Sequence, residues 1–282
     1  MKRPVSTKMA AWLAALSTAW AVTGCGGGAS SSESAAPVSV KLIAMNDFHG
    51  NIEVPAANNG GSVVLKDPAN AAGTTVRSGG AAYLATLIKQ LKAKNPYSIV
   101  VGAGDMVGAS PVTSTLTHDE ATVDILNQIG LEVTSVGNHE FDHGKTELLR
   151  LQNGGCYPGG TIGQDTCIQG GSFAGARYKW LSANVVDSSS GQPLFPATYV
   201  KQFGPVSVGF IGLTLKGTPQ VVTSTGVAGL NFLDEATTIN QYAASLKASG
   251  VNAVVVLIHQ GGQTTASTLN DKTCPGLSGD IL

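Results

Sequence analysis

The chain has 282 residues, of which 43% are hydrophobic and 12% are charged, and its formal net charge is -1. This composition supplies enough apolar material for one sizeable α/β core, or for one domain and part of another. The nearly neutral charge gives no electrostatic reason to expect a nucleic acid polymer or an acidic membrane surface as a partner.

Residues 1–25 predict a signal peptide rather than part of the fold. Positive residues at the start precede an apolar run over residues 9–22, which is too short to span a bilayer comfortably. The run leads into Val-Thr-Gly-Cys, which resembles the lipobox of bacterial lipoproteins, in which the cysteine, here Cys25, is acylated. An ordinary secretory signal with an incidental cysteine is the alternative. Because residues 26–37 have the composition of a flexible tether, we expect an exported, lipid-anchored protein on the periplasmic face of the bacterial envelope.

Three further cysteines follow the tether. Cys156 and Cys167 flank a Gly-rich loop, so in an oxidising compartment they predict a local disulfide. This pairing does not identify a partner for Cys274, and we expect that partner in sequence beyond this chain.

Strand-like and helix-like patterns alternate along the rest of the chain. The predicted strands cover residues 38–45, 98–101, 133–136, 179–185, 206–213 and 252–258. The predicted helices cover residues 81–94, a segment opened by the capping box Thr117-x-x-Glu120, and residues 234–248. Residues 51–80 are expected to be a loop insertion, and residues 151–176 a Gly-rich excursion at the rim. The alternation predicts a layered α/β fold with largely parallel pairing.

Side chains suited to metal binding follow several of these strands, where open α/β sheets keep their active sites. Asp47 and His49 follow the first strand, two positions apart, so that a carboxylate and an imidazole can converge on one metal. Asp105 follows a Gly-Ala-Gly turn and offers a carboxylate that could bridge two metals. His259 ends the last predicted strand before a Gly-Gly pair. Each motif alone also fits an ordinary polar turn.

The third strand leads into Gly137-Asn138-His139-Glu140-Phe141-Asp142. Asn138 can bind a cation through its amide oxygen, and His139 and Asp142 have the side chains of an acid/base pair. Of the remaining histidines, we expect His118 to be a solvated surface residue and His143 to line the loop.

In their order along the chain these motifs resemble the calcineurin-like metallophosphatase superfamily. The longer strings Asn-Asp-Phe-His-Gly, Gly-Asn-His-Glu-Phe-Asp-x-Gly and Val-Gly-Phe-Ile-Gly-Leu-Thr resemble its bacterial 5′-nucleotidase branch. The resemblance covers about residues 38–282 and implies a layered α/β/β/α sandwich.

The resemblance also implies two divalent metal ions and a set of ligands for them. Asp47 and His49 would bind the first metal, Asp105 would bridge both, and Asn138 and His259 would bind the second. The mixed nitrogen and oxygen ligands suit Mn²⁺, Zn²⁺ or Co²⁺ better than an all-oxygen Mg²⁺ site.

The same resemblance implies a catalytic pair beside the metals. His139, oriented by Asp142, would stabilise charge on the phosphoryl oxygens and the leaving group. Asn138 and His139 would also contact the substrate phosphate. Glu140 belongs to the motif without a ligand role and is expected to be structural.

The chain departs from the family pattern after His259. A Gly-His-x-His segment follows there in the family and completes both metal sites, whereas none of the five histidines of this chain follows His259. The C-terminal domain that supplies substrate-binding aromatics and arginines is missing as well. We therefore expect residues 38–282 to form a metallophosphatase domain that is incomplete at its C-terminus and impaired as an enzyme.

The leading hypothesis for function is a 5′-nucleotidase that acts on small nucleotides. Relatives with the same metal site are alternatives: 2′,3′-cyclic-nucleotide phosphodiesterase, UDP-sugar hydrolase and a thiosulfohydrolase of sulfur oxidation. A non-catalytic surface lipoprotein is an alternative of another class, although every ligand position present carries a competent residue. The sequence does not indicate an oligomeric state.

Overall fold

The computed structural model describes residues 37–57, 60–265, 273–279 and 281–282, and Val38–Leu282 form one compact unit. The predicted signal peptide, its Cys25 and all of the predicted tether except Pro37 lie outside the described residues. No helix in the described ranges is long and apolar enough to cross a membrane.

The first sheet contains four parallel strands in the order β1-β4-β5-β6. These strands are β1 Lys41–Met45, β4 Ser98–Ala103, β5 Val133–Ser135 and β6 Lys179–Leu181. Helices connect or follow them, namely α1 Ala81–Lys92, the short α2 Val112–Thr115, α3 Glu120–Ile129 and α4 Gly144–Asn153. Parallel pairing brings the carboxyl ends of all four strands to one edge of the sheet.

The second sheet has the strand order β11-β9-β8. Its strands are β8 Thr198–Phe203, β9 Val206–Thr214 and β11 Ala253–His259. β11 pairs with β9 in parallel, and β8 pairs with β9 antiparallel. Helix α5 Glu235–Ala248 packs on this sheet, and its N-cap Asp234 accepts a hydrogen bond from the backbone N–H of Thr237. β7 Val185–Asp187 and β10 Leu230–Phe232 form a separate antiparallel pair.

Three hydrophobic clusters separate the layers. Along β4, Val100 packs in the cluster shared with the helices of the first sheet, whereas Ile99 and Val101 pack between the two sheets. Phe210 of β9 reaches the inter-sheet cluster from the other side, and its neighbour Ile211 packs in the cluster that includes Leu246 of α5. Alternate residues of each strand therefore face opposite layers, and the layered α/β/β/α sandwich expected from the sequence is confirmed.

The expectation of a loop over residues 51–80 was wrong in part. Within this segment, β2 Ser62–Asp67 and β3 Asn70–Arg77 form an antiparallel hairpin. Its strands contain Val and Thr residues, which have high strand propensity, but the Gly, Asn and Ala residues around them obscured the pattern. The hairpin is exposed over most of its length.

The predicted capping box at Thr117 and Glu120 was wrong in part: the Thr117 hydroxyl accepts the backbone N–H of Ala121 in the first turn at 3.3 Å, but Glu120 takes no part in capping. Helix α3 begins at Glu120 after Asp119, which has a left-handed backbone and makes no side-chain capping bond. The Glu120 carboxylate instead accepts hydrogen bonds from Arg150, at 2.7 Å, and from the backbone N–H of Cys167, also at 2.7 Å. The Glu120 side chain, which the local pattern placed at the helix end, therefore binds Arg150 and the loop around Cys167 instead.

The Gly-rich excursion begins within α4 and is fastened to the helical layer. A disulfide joins Cys156 to Cys167 with their Cα atoms 5.3 Å apart. The Arg150 guanidinium donates to the Gly155 carbonyl at 2.7 Å and lies 5.6 Å from the centre of the Tyr157 ring. His118 stacks on the same ring at 3.7 Å between centroids, so it is half-buried rather than the solvated residue expected from the sequence.

Candidate metal centre

Polar side chains from four strand ends meet at one edge of the sandwich. Asp47 and His49 follow β1, Asp105 follows β4, Asn138 follows β5, and His259 is the last residue of β11. The two sheets contribute unequally, since only His259 comes from the second sheet.

Asp105 lies at the centre of this group and is 2% exposed. Its Oδ2 atom is 3.6 Å from His49 Nε2 and 3.0 Å from His259 Nε2. Its Oδ1 atom accepts a hydrogen bond of 2.9 Å from the backbone N–H of His139. One carboxylate oxygen therefore faces two imidazoles from different strands, while the other is occupied by the backbone.

Backbone carbonyls orient both imidazoles. His49 Nδ1 donates to the Gly108 carbonyl at 2.8 Å, and His259 Nδ1 donates to the Ala103 carbonyl at 2.7 Å. With Nδ1 protonated in each ring, Nε2 is the atom available to a metal, and such a carbonyl contact is the usual way in which a ligating histidine is oriented.

The remaining ligand-type atoms lie beside these imidazoles. Asp47 Oδ1 is 3.7 Å from His49 Nε2, and Asn138 Oδ1 is 3.1 Å from His259 Nε2. Ligand atoms of Asp47, His49 and Asp105 all lie within 4.8 Å of one another. The set of carboxylate, amide and imidazole donors fits a borderline divalent cation, and a shared central carboxylate fits a pair of them.

Charge pairing shifts the pKa values of the central groups. Burial alone would raise the pKa of Asp105, but its hydrogen bond and charge interaction with His259 lower it. Burial likewise opposes the proton on His259, yet the Asp105 carboxylate raises the pKa of this imidazole to about 9. The site therefore favours positive charge beside Asp105 even in the protein alone.

His139 and Asp142 form a hydrogen-bonded pair next to this cluster. His139 Nδ1 is 3.0 Å from Asp142 Oδ2, which also accepts the backbone N–H of Ala109 at 2.9 Å. The His139 ring meets the His49 ring edge-on, with 5.0 Å between centroids. Asp142 is thus held from two sides and in turn fixes the orientation of the His139 ring.

Glu140 lies beneath the cluster and is 4% exposed. Its carboxylate accepts backbone N–H bonds from Gly137 at 2.6 Å, Met106 at 2.7 Å and Asp105 at 2.9 Å. Burial and the Asp105 charge raise the pKa of Glu140 to about 7, against these three donors, which lower it.

The structure thus brings together all seven residues that the sequence singled out as ligands or as the catalytic pair. It leaves His118 outside, and His143 is exposed at the start of α4. Sequence reasoning missed Thr214, whose buried hydroxyl donates to the Val136 carbonyl at 2.6 Å and so connects β9 to the loop that carries Asn138. Thr214 is the last residue of the string Val-Gly-Phe-Ile-Gly-Leu-Thr, so its signals were that string and a polar residue at the end of a long apolar strand.

Similar proteins were found by sequence. Over 236 residues the chain is 36% identical to the endonuclease YhcR of Bacillus subtilis, a match that covers 84% of this chain and 18% of that protein. Over 251 residues it is 34% identical to the cell wall protein Lmo0130 of Listeria monocytogenes, which covers 85% of this chain and 30% of that protein. The chain therefore spans less than a third of either relative.

A solved structure and a family model agree with these matches. The 5′-nucleotidase precursor from Thermus thermophilus superposes with a TM-score of 0.58 at 26% identity, which covers 79% of this chain and 37% of that one. The model of the calcineurin-like phosphoesterases matches residues 40–202, which is more than half of the chain and includes every strand of the first sheet. The chain belongs to the calcineurin-like phosphoesterase family.

Proposed function

We propose that this protein hydrolyses the phosphate ester of small nucleotides at a dinuclear metal site, as a 5′-nucleotidase. One observation carries the proposal: the Asp105 Oδ2 atom lies 3.6 Å and 3.0 Å from imidazole nitrogens on two different sheets. A fold is not stabilised by burying so many ionisable groups at one edge, whereas two cations would neutralise them.

The proposed ligands follow from the geometry. Asp47 and His49 would hold one cation, Asn138 and His259 the other, and Asp105 both, because its Oδ2 faces each imidazole. Bound divalent cations would polarise phosphoryl oxygens and lower the pKa of water. The donor set favours Mn²⁺, Zn²⁺ or Co²⁺.

We assign proton transfer and charge stabilisation to the pair of His139 and Asp142. The Asp142 carboxylate, 3.0 Å from Nδ1, orients the ring. His139 can then present its Nε2 to the phosphate or to the leaving oxygen. The Asn138 amide beside it would contribute a second contact to the phosphate.

The substrate is proposed on the similarity to the Thermus thermophilus 5′-nucleotidase precursor and on the family motifs. A second candidate is cleavage of nucleic acid, since the relative from Bacillus subtilis is an endonuclease. Hydrolysis of cyclic nucleotides, UDP-sugars or thiosulfonates uses the same kind of site. The deciding experiment is a substrate panel on the complete gene product with excess Mn²⁺, comparing AMP, 2′,3′-cyclic AMP, a UDP-sugar, an aryl phosphate and single-stranded DNA. Preferential release of phosphate from AMP is expected, and preference for DNA would contradict the 5′-nucleotidase proposal.

Two substitutions separate metal binding from catalysis. We expect Asp105→Ala to abolish Mn²⁺ binding and activity together, because it removes the central carboxylate. We expect His139→Ala to keep most of the bound Mn²⁺ while lowering turnover by about 10²–10⁴-fold. Metal content by elemental analysis and single-substrate kinetics measure both effects. Loss of Mn²⁺ from His139→Ala would contradict the role assigned to this residue.

Export, lipid attachment at Cys25 and the division into residues 1–25, 26–37 and 38–282 remain proposals. The similarity to a cell wall protein of Listeria monocytogenes supports an exported location. The mass of the mature N-terminus distinguishes an acylated Cys25 from cleavage elsewhere.

A further inference from the structure

We propose that Glu140 is a positioning residue, whose buried carboxylate ties the loop after β4 to the loop after β5 and thereby fixes the Asp105 carboxylate. The inference rests on the proposed function, because Asp105 is the centre of the proposed metal site. It assigns a task to a residue that touches neither the proposed cations nor the substrate.

The two loops lose their strand pairing just where the ligands begin. β4 and β5 pair only as far as Ala103 and Ser135, and beyond that point the backbone N–H groups of Asp105, Met106 and Gly137 donate to the Glu140 side chain instead of to a neighbouring strand. The Glu140 Oε2 atom accepts one N–H from each loop, from Asp105 at 2.9 Å and from Gly137 at 2.6 Å. Its carboxylate thus takes the place of the missing strand pairing.

The loop after β4 also supplies a carboxylate to the backbone of the loop after β5. The Asp105 Oδ1 atom accepts the backbone N–H of His139 at 2.9 Å, one residue before Glu140. Each loop therefore supplies a carboxylate to the backbone of the other. With Oδ1 engaged in this way, Oδ2 is the Asp105 oxygen that faces His259 at 3.0 Å.

Only a carboxylate of this length satisfies all the donors. Glu140 Oε1 accepts the Met106 N–H at 2.7 Å, while Oε2 accepts the other two, so both oxygens are needed as acceptors. A glutamine would turn an NH₂ group toward at least one backbone N–H, and buried donors left without an acceptor destabilise their surroundings. An aspartate keeps the charge but is one methylene shorter and should not reach both loops.

The test has two measurements. Calorimetric titration of the metal-free protein with Mn²⁺ gives the Mn²⁺ dissociation constant, and hydrogen exchange gives the exchange rates of the Asp105, Met106 and Gly137 amides. For Glu140→Gln we expect the Mn²⁺ dissociation constant to rise about 10–100-fold and the three amides to exchange faster. For Glu140→Asp we also expect a higher Mn²⁺ dissociation constant and faster amide exchange. The aspartate keeps the negative charge, but its shorter side chain does not reach the backbone N–H groups of both loops.

Glu120→Gln is the matched control. Glu120 is 5% exposed and its carboxylate also accepts a backbone N–H, that of Cys167 at 2.7 Å. Its partners are Arg150 of α4 and residues of the Gly-rich excursion, so this substitution should lower the melting temperature while the Mn²⁺ dissociation constant stays within about twofold of the parent.

The outcomes separate the inference from the proposed function. Folded Glu140→Gln protein with parental Mn²⁺ affinity and unchanged amide exchange would overturn the inference, as would an equal loss of affinity in Glu120→Gln. If Glu140→Gln does not fold, Glu140→Asp decides by the same criteria. A parent protein that binds no Mn²⁺ would overturn the proposed function instead, and the amide exchange rates would still show whether Glu140 ties the two loops.

Discussion

Three of the residues at the candidate metal centre have a left-handed backbone. Asp47, His49 and Asp105 have φ angles of 51°, 46° and 54°. Residues other than glycine rarely adopt this region, and each instance costs on the order of 1–3 kcal/mol. Hydrogen bonds between neighbouring loops hold the conformation, including His49 N–H to the Asp105 carbonyl at 3.0 Å. We infer that this backbone conformation turns the three ligand side chains toward one point, and that the strain is its cost.

Gly137 allows the two loops to approach each other. A Cβ atom at this position would lie 2.1 Å from Asp105 Oδ1, so Gly137→Ala must displace the carboxylate or the loop. We expect the Mn²⁺ dissociation constant to rise at least about 10-fold, as measured by calorimetric titration. Gly217→Ala is the control, because its nearest atom, at 3.0 Å, is the flexible end of Gln220. Equal Mn²⁺ affinity in the two variants would contradict the close approach.

At the scale of elements, Arg150 attaches α4 to α3 and to the Gly-rich excursion. Its guanidinium lies 2.7 Å from carboxylate oxygens of both Glu120 and Glu147, and all three side chains are nearly buried. Burial alone would lower the pKa of Arg150, but these two carboxylates raise it. The network also reaches the loop closed by the disulfide, through the Gly155 carbonyl.

Removing this cation should destabilise the fold without altering the metal centre. Arg150→Met leaves two buried carboxylates without a counter-charge, so we expect the free energy of unfolding to fall by about 3–5 kcal/mol. Chemical denaturation measures the loss. Arg177→Met, at an exposed arginine, should cost less than about 1 kcal/mol. Similar losses in both variants would show that the buried network contributes little.

At the scale of the whole molecule, the proposed metal site joins the two sheets. His259 ends β11 of the second sheet, whereas Asp105 and Asn138 follow strands of the first. A cation held by all three would link the sheets in the folded protein, and the unfolded chain would not hold it in this way. Metal binding should therefore raise the free energy of unfolding of the domain that contains both sheets.

We expect Mn²⁺ at 100 times its dissociation constant to stabilise the protein by about 2.7 kcal/mol. For a chain of this size that corresponds to a rise of roughly 5–10 °C in melting temperature, which a chelator should reverse. At the same Mn²⁺ concentration His259→Ala should lose most of the rise. An undiminished rise in that variant would mean that the stabilising ion binds elsewhere.

Local patterns in the sequence were sufficient where they coincided with the packing. Apolar runs such as 98–101 and 252–258 predicted strands because they pack between layers, where 98–101 is fully buried and 252–258 mostly partly buried. α5 was predicted from its helical periodicity. Where the competing partners were distant, the patterns failed. Glu120, for example, bonds to Arg150 rather than to its own helix end. The adjacent strands of the hairpin β2–β3 were missed for a local reason, because Gly, Asn and Ala residues obscure their pattern.

The sequence by itself determined which residue types follow each strand, since Asp47, His49, Asp105, Asn138 and His259 stand directly at or after apolar runs. Only the tertiary structure decided how they meet, because their convergence depends on parallel pairing within each sheet and on the packing of one sheet against the other. It also decided that Asp105 is central and that Glu140 ties two loops together. Those roles depend on distances between residues more than 30 positions apart, which no local pattern encodes.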